Sequence, residues 1–199
     1  MTLDAARFAQ GMPYDGYKAQ MTRNGERIEA VEKQVKIDPA DVAYFKKLKP
    51  LKVFALAEDW CGDVIANLPV LGVLARETGA LDVRVYLRDK NEDIRDAYLN
   101  RGKYQSIPVF VFLDEQWREV GVFIERPHEV TELRAEQRRE LFKAHPEFGD
   151  LGAPPDQMPE SVRTKYQEEN RKLGDARRAL ENRLVVHAIR DVIARAPEA

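Results

Sequence analysis

The chain has 199 residues, 44% of them hydrophobic and 33% charged, enough to bury a core and within the size of one globular domain with additions. Its 32 basic and 34 acidic residues leave a net charge of −2, which gives no general attraction to polyanions and sets nucleic acid aside as a partner. A single cysteine rules out a disulfide framework and a zinc site of several thiolates, and it fits a reducing compartment.

Taken in chain order, the first twenty residues carry Asp4, Arg7, Asp15 and Lys18 with no apolar run of leader length, and no run of about 18 apolar residues follows anywhere. A cytoplasmic protein that neither crosses nor binds a membrane is the expectation. Residues 1–50 read as a polar helical extension. Ile28, Val31 and Val35 fall at helical spacing, and Asp38-Pro39 caps a short helix running through Tyr44 toward Leu48. Residues 51–127 alternate. Leu51 to Ala57 is a short apolar strand, Gly62 to Glu77 a helix stopped by Gly79, Asp82 to Leu87 a strand, and Glu92 to Asn100 a helix ended by Gly102. Val109 to Leu113 and Val120 to Ile124 are two further strands around Asp114-Glu115. Strand-helix-strand, then a helix and a hairpin, predicts an α/β fold with a mixed sheet between helices.

Residues 128–199 are helical and charged, broken at Pro146 and over the loop Gly149 to Pro159. The final helix, Ser161 to Arg195, is expected to bury Val162, Tyr166, Leu173, Leu180, Leu184 and His187 as one stripe on its own domain. A dimer seam is the alternative, weakened by Gly174, since glycine costs about 1 kcal/mol inside a helix.

The chemistry concentrates at Glu58-Asp59-Trp60-Cys61-Gly62-Asp63-Val64, where the only cysteine stands between a strand and a helix. At a helix start the unpaired N–H groups and the dipole favour a thiolate, by roughly 0.3–1 kcal/mol at an exposed site. Glu58, Asp59 and Asp63 act against it. A carboxylate about 6 Å away opposes the thiolate by roughly 0.7–3 kcal/mol for effective dielectrics of about 80 to 20. A small apolar side chain buried under Trp60 is the alternative role for Cys61.

Trp60-Cys61-Gly62-Asp63-Val64, Pro69 eight residues after the cysteine, and Ser106-Ile107-Pro108-Val109 together resemble the thioredoxin superfamily, over about residues 51–127. The fuller string, with Asn67-Leu68-Pro69-Val70-Leu71 and Leu87-Arg88-Asp89, is similar to a bacterial branch of thioredoxin family proteins that lacks the second cysteine and carries flanking helices. The resemblance implies a thioredoxin fold with a mixed sheet of four or five strands and added N- and C-terminal helices. It also implies a cis-proline loop at Ile107 and Pro108 facing Cys61, which aligns an extended substrate, with Trp60 as an apolar wall and Gly62 as a further substrate-binding residue. The chain departs from the family motif in three places. Val64 replaces the resolving cysteine, Asp63 the motif proline, and Ala55 the buried acid six residues before the cysteine.

The leading expectation is therefore a monothiol thiol-disulfide oxidoreductase in which Cys61 attacks a disulfide-containing protein or a small-thiol mixed disulfide, and an external thiol such as glutathione resolves the product. The alternative is a non-catalytic thioredoxin-like protein-binding module. An iron-sulfur carrier resembling monothiol glutaredoxins is a third reading, in which the cysteine and an external thiol hold a cluster across a dimer. No resident cofactor or metal site is expected, because His128, His145 and His187 lack ligand spacing with one another or with Cys61. Nucleotide-binding and serine-hydrolase motifs are absent. Arg88-Asp89 is read as a structural ion pair, and Arg126-Pro127-His128 as a plain strand exit.

Overall fold

A computed structural model describes residues 2–195. Among the described residues two compact units emerge, one made of residues 2–126 with 182–195 and the other of residues 127–181. Among the described residues no helix is long and apolar enough to cross a membrane.

The first unit is built on a five-stranded sheet in the order β1-β3-β2-β4-β5. Strand β2 (Leu51–Ala57) is central, parallel to β3 (Leu81–Leu87) and antiparallel to β4 (Val109–Leu113), which pairs antiparallel with β5 (Glu119–Ile124). The central position explains the nearly unbroken apolar run of β2. A strand covered on both faces has no solvent side on which to place polar residues, and all its side chains but Lys52 are buried. Edge strand β1 (Met12–Pro13) was not legible. Two residues carry no alternation, yet Met12 pairs with Val85 and Pro13 with Arg84.

Helix α5 (Gly62–Thr78) connects β2 to β3 and is buried from Val64 to Leu74, with Pro69 inside it. It ends as its sequence predicts, on Gly79 at φ 67°, where a glycine adopts the left-handed conformation at least cost. A 3₁₀ turn (Arg88–Lys90) and helix α6 (Glu92–Ala97) lead from β3 to β4. Helix α6 stops three residues short of the expected Asn100, whose backbone instead closes a small turn with Tyr104.

Before the sheet come α1 (Ala5–Phe8), α2 (Tyr14–Gln20), α3 (Gly25–Gln34) and α4 (Pro39–Phe45). The carboxylate of Asp38 accepts the Ala40 N–H at 2.8 Å and caps α4 as predicted, with Pro39 at the first helical position. In α3, Ile28 and Val31 are buried, and Val35 follows them into the core.

In the second unit α7 (His128–Ala144), two 3₁₀ turns (Pro146–Phe148 and Pro155–Gln157) and the first part of α8 (Glu160–Ala194) enclose a small core of Leu141, Phe142, Phe148, Met158 and Tyr166. The rings of Phe142, Phe148 and Tyr166 meet edge-on at centroid separations of 5.5–5.8 Å. Beyond Glu181, α8 belongs to the first unit. The expected stripe holds from Val162 through Tyr166 to Leu173, which pack on that core, but not beyond: Leu180 and His187 are exposed and Leu184 is only partly buried, while Val185, Val186, Ile189 and Ile193 are buried. The buried face of α8 therefore changes between its two halves. One continuous heptad-like reading misses this because each half answers to a different core.

Candidate functional site around Cys61

Cys61 caps the N-terminus of α5 in an extended conformation (φ −83°, ψ 121°) and is partly buried. Its Sγ donates a hydrogen bond, 3.5 Å long, to the carbonyl oxygen of Ile107, and the Ile107–Pro108 peptide is cis. Cys61, Ile107 and Pro108 thus meet at one end of the sheet, where β2 runs into α5 and the loop before β4 returns. Gly62 faces open space: a Cβ there would meet no atom within 4 Å. Trp60 is 44% exposed, and the guanidinium of Arg88 lies 5.0 Å from its ring centroid. Arg88 also pairs with Asp89 at 2.8 Å and donates to the Gln105 carbonyl, tying the end of β3 to the proline loop.

The three carboxylates of the motif do different work. Glu58 accepts the Asp89 backbone N–H at 2.9 Å. Asp59 accepts the N–H groups of Thr22 and Arg23 at 2.8 and 3.0 Å together with the Thr22 hydroxyl, and its carbonyl takes the Asn24 amide. These bonds staple the N-terminal extension to the motif, and they outweigh the cost of desolvation in holding Asp59 below the usual carboxylate range. Asp63 pairs with Arg126, whose other arm holds Glu125 at 2.6 Å.

Burial pushes the Cys61 thiol above its ordinary value. The N–H groups of Val64 and Asp63 pull it back, and the charges of Asp63 and Glu125 push it further up. Of the three predicted modulators, Asp63 is the one with a leading influence on the sulfur. Burial, then Asp59 and Glu58, push up the hydroxyl of Tyr17, a residue of α2 that is wholly buried and whose hydroxyl has no hydrogen-bond partner among the described residues. Asp63→Asn is accordingly expected to lower the pH at which Cys61 alkylates, since it removes a negative charge beside the sulfur; iodoacetamide rates against pH measure it, and a midpoint that stays or rises would mean that the Asp63–Arg126 pair had already cancelled that charge.

Several residues that build this site carry little local signal. Glu125 sits at φ 64°, donates its N–H to the Pro108 carbonyl at 2.7 Å, and accepts the Asn67 amide at 2.7 Å on its own carbonyl. Its carboxylate takes the Asn100 amide at 2.8 Å. Asn67 was detectable as a lone amide within the apolar run of α5, and Arg126 does more than leave a strand. Nothing in the sequence announces the left-handed backbone of Glu125, a conformation rare outside glycine and asparagine. Val64, where a second thiol would stand, is fully buried. Among the described residues no group of three or more His, Cys, Asp or Glu side chains is placed to hold a metal ion.

A family model described as Thioredoxin matches residues 11–139. Among solved structures, a protein of unknown function from Pseudomonas aeruginosa is similar over 85% of this chain and 99% of its own, at 18% identity and a TM-score of 0.60. An HIV epitope-scaffold is similar over 96% of both chains, at 17% identity and a TM-score of 0.59. At these identities the two show a shared fold. No curated protein sequence matches the chain. With most of its length inside the family match and Cys61, Gly62 and Pro108 assembled at one end of a mixed five-stranded sheet, the chain belongs to the thioredoxin family, in a form that keeps one cysteine of the motif.

Proposed function

We propose that the protein is a thioredoxin-fold binding module that takes an extended peptide segment of a partner protein against Trp60 and the Ile107–Pro108 loop, with Cys61 resting as a neutral thiol. The observation that carries this reading is the state of the sulfur. It is pushed above the ordinary thiol value chiefly by burial, it spends its proton on the Ile107 carbonyl, and the neighbouring position that would hold a resolving thiol is the buried Val64. An exposed tryptophan with a cation over its ring, beside a loop edge, suits recognition of an extended chain by backbone hydrogen bonds and one apolar anchor. A partner in a reducing compartment such as the cytoplasm is part of the proposal.

A second reading is favoured by the N–H groups of Asp63 and Val64, which act to stabilise a thiolate at Cys61. In that reading the thiolate attacks one sulfur of a disulfide, the S–S bond breaks, the other sulfur leaves as a thiolate, and a small thiol such as glutathione releases the mixed disulfide.

Selection from a displayed random peptide library separates the two. The binding reading expects wild type and Cys61→Ser to enrich the same sequences, without a requirement for cysteine. Enrichment confined to cysteine-containing peptides, lost in Cys61→Ser, would overturn it in favour of monothiol exchange.

A further inference from the structure

The turn that leads into the Ile107–Pro108 loop is exposed at every residue from Arg101 to Gln105. Tyr104 in this turn is 54% exposed, and it and Trp60 are the two exposed members of the described Trp, Tyr and Phe residues. Each ring carries a cation: the Arg88 guanidinium on Trp60, and the Lys103 ammonium 5.4 Å from the Tyr104 centroid. Arg88 joins the two parts, since it also donates at 3.2 Å to the carbonyl of Gln105, the residue after Tyr104. The turn is braced. Asn100 and Tyr104 bond through their backbones in both directions, at 2.7 and 3.0 Å, and the Asn100 amide is held by the Glu125 carboxylate at 2.8 Å. Arg101 takes a left-handed backbone at φ 53°, uncommon for a long side chain. The charges of this surface do not balance. Glu58 is spent on the Asp89 N–H, Asp89 on Arg88, Asp96 on Arg95 and the Gln105 amide, and Glu125 on Arg126 and Asn100. Arg101 and Lys103 have no carboxylate partner among the described residues.

We propose that the extended segment taken by this site is acidic, its carboxylates pairing with Arg101 and Lys103 while its apolar side chains lie on Trp60 and Tyr104. The inference rests on the binding reading and supplies the partner chemistry for it. A net charge of −2 does not draw an anionic chain to the protein as a whole. The selection is local: two cations without carboxylates stand on a braced turn, and the acids around them are committed to internal bonds. Aromatic rings supply much of the energy of such contacts, and charge complementarity sets which partner is accepted. A carboxylate beside Lys103 leaves the ring contact of its ammonium in place, because the group has three donors. Arg88 has a different part. Its guanidinium is already shared between Asp89 and the Gln105 carbonyl, so it holds the surface together rather than pairing with the partner.

Two fluorescein-labelled peptides test it by fluorescence anisotropy, one alternating Glu and Ala about a central Phe and the other carrying Lys in place of each Glu. Wild type should bind the acidic peptide more tightly than the basic one, and the difference should shrink as salt is raised. Arg101→Gln combined with Lys103→Gln should weaken the acidic peptide about fivefold, the joint scale of two exposed ion pairs. Charge reversal, Arg101→Glu with Lys103→Glu, should turn the preference toward the basic peptide. Equal binding of the two peptides by wild type, no binding of either, or an acidic preference that survives both double variants would overturn the proposal. Tighter binding of an oligothymidylate than of the acidic peptide would overturn it in favour of a nucleic-acid partner. Failure of the binding reading shows elsewhere, as a cysteine requirement in the library selection. Cysteine-free sequences enriched there without an acidic excess would sink the charge preference and leave the binding reading standing.

Discussion

Glu181→Gln should destabilise the unit formed by residues 127–181 by about 3–5 kcal/mol, the usual cost of breaking a buried charge cluster from one side. Glu181 is 1% exposed and accepts three guanidinium groups: Arg134 and Arg177 at 2.8 Å on one oxygen and Arg178 at 3.2 Å on the other. Burial alone would raise the carboxyl, but Arg134 and Arg177 outweigh it and hold the group below its ordinary value of 4.5. Burial pulls Arg178 downward in turn. Glutamine matches the shape and keeps one acceptor but removes the negative charge on which the three guanidinium groups converge. The pH dependence follows in sign. A carboxyl depressed in the folded state contributes stability that is complete above the unfolded value and is lost as pH falls through the folded one, so wild type should soften on acidification below about 4.5, and Glu181→Gln should lack that component. Urea unfolding followed by hydrogen exchange in α7 reads both effects. A loss under about 1 kcal/mol, the scale of an exposed pair, would show that the cluster is solvated.

Gly121→Ala should cost about 1–3 kcal/mol through overpacking. A Cβ at this position in β5 would lie 2.6 Å from Val192 Cγ1 and 2.7 Å from the Val192 carbonyl oxygen in α8. A side chain can turn aside, but a helix carbonyl cannot. The double variant Gly121→Ala with Val192→Ala should therefore recover only part of the loss, because it removes the methyl contact and keeps the oxygen. The same glycine-to-alanine change at Gly25, where a Cβ meets nothing within 4 Å, serves as the control. Full recovery in the double variant would mean that the helix backbone yields more readily than its packing implies. Urea midpoints at fixed pH decide it.

The sheet was legible because its strands sit deep. The apolar runs at Leu51 to Ala57 and Val109 to Leu113 have only one way to satisfy both faces, and Gly79 and Asp38 mark helix ends by backbone chemistry that is local. What escaped was set by contacts distant in sequence. Pro13 joins a sheet edge through a partner some seventy residues away, and Glu125 takes a left-handed backbone where Pro108 and Asn67 bond it on both sides. In the motif, the residue types were informative while their directions were not. Three acids within six residues suggest a single field around Cys61, yet Glu58 and Asp59 are bonded to the backbone of other segments.

The return of α8 to the first unit has a consequence for how the protein is made. Synthesis delivers the last strand of the sheet by Ile124, but the helix turn that covers Gly121 leaves the ribosome only after the entire 127–181 segment has been translated. During that interval β5 is an edge strand lacking its helical cover in a nascent chain, the kind of surface that recruits holding chaperones or pairs with a neighbouring polysome product. Codon changes that slow or hasten translation between Pro127 and Glu181 would thus alter the soluble yield without altering a single contact of the finished fold.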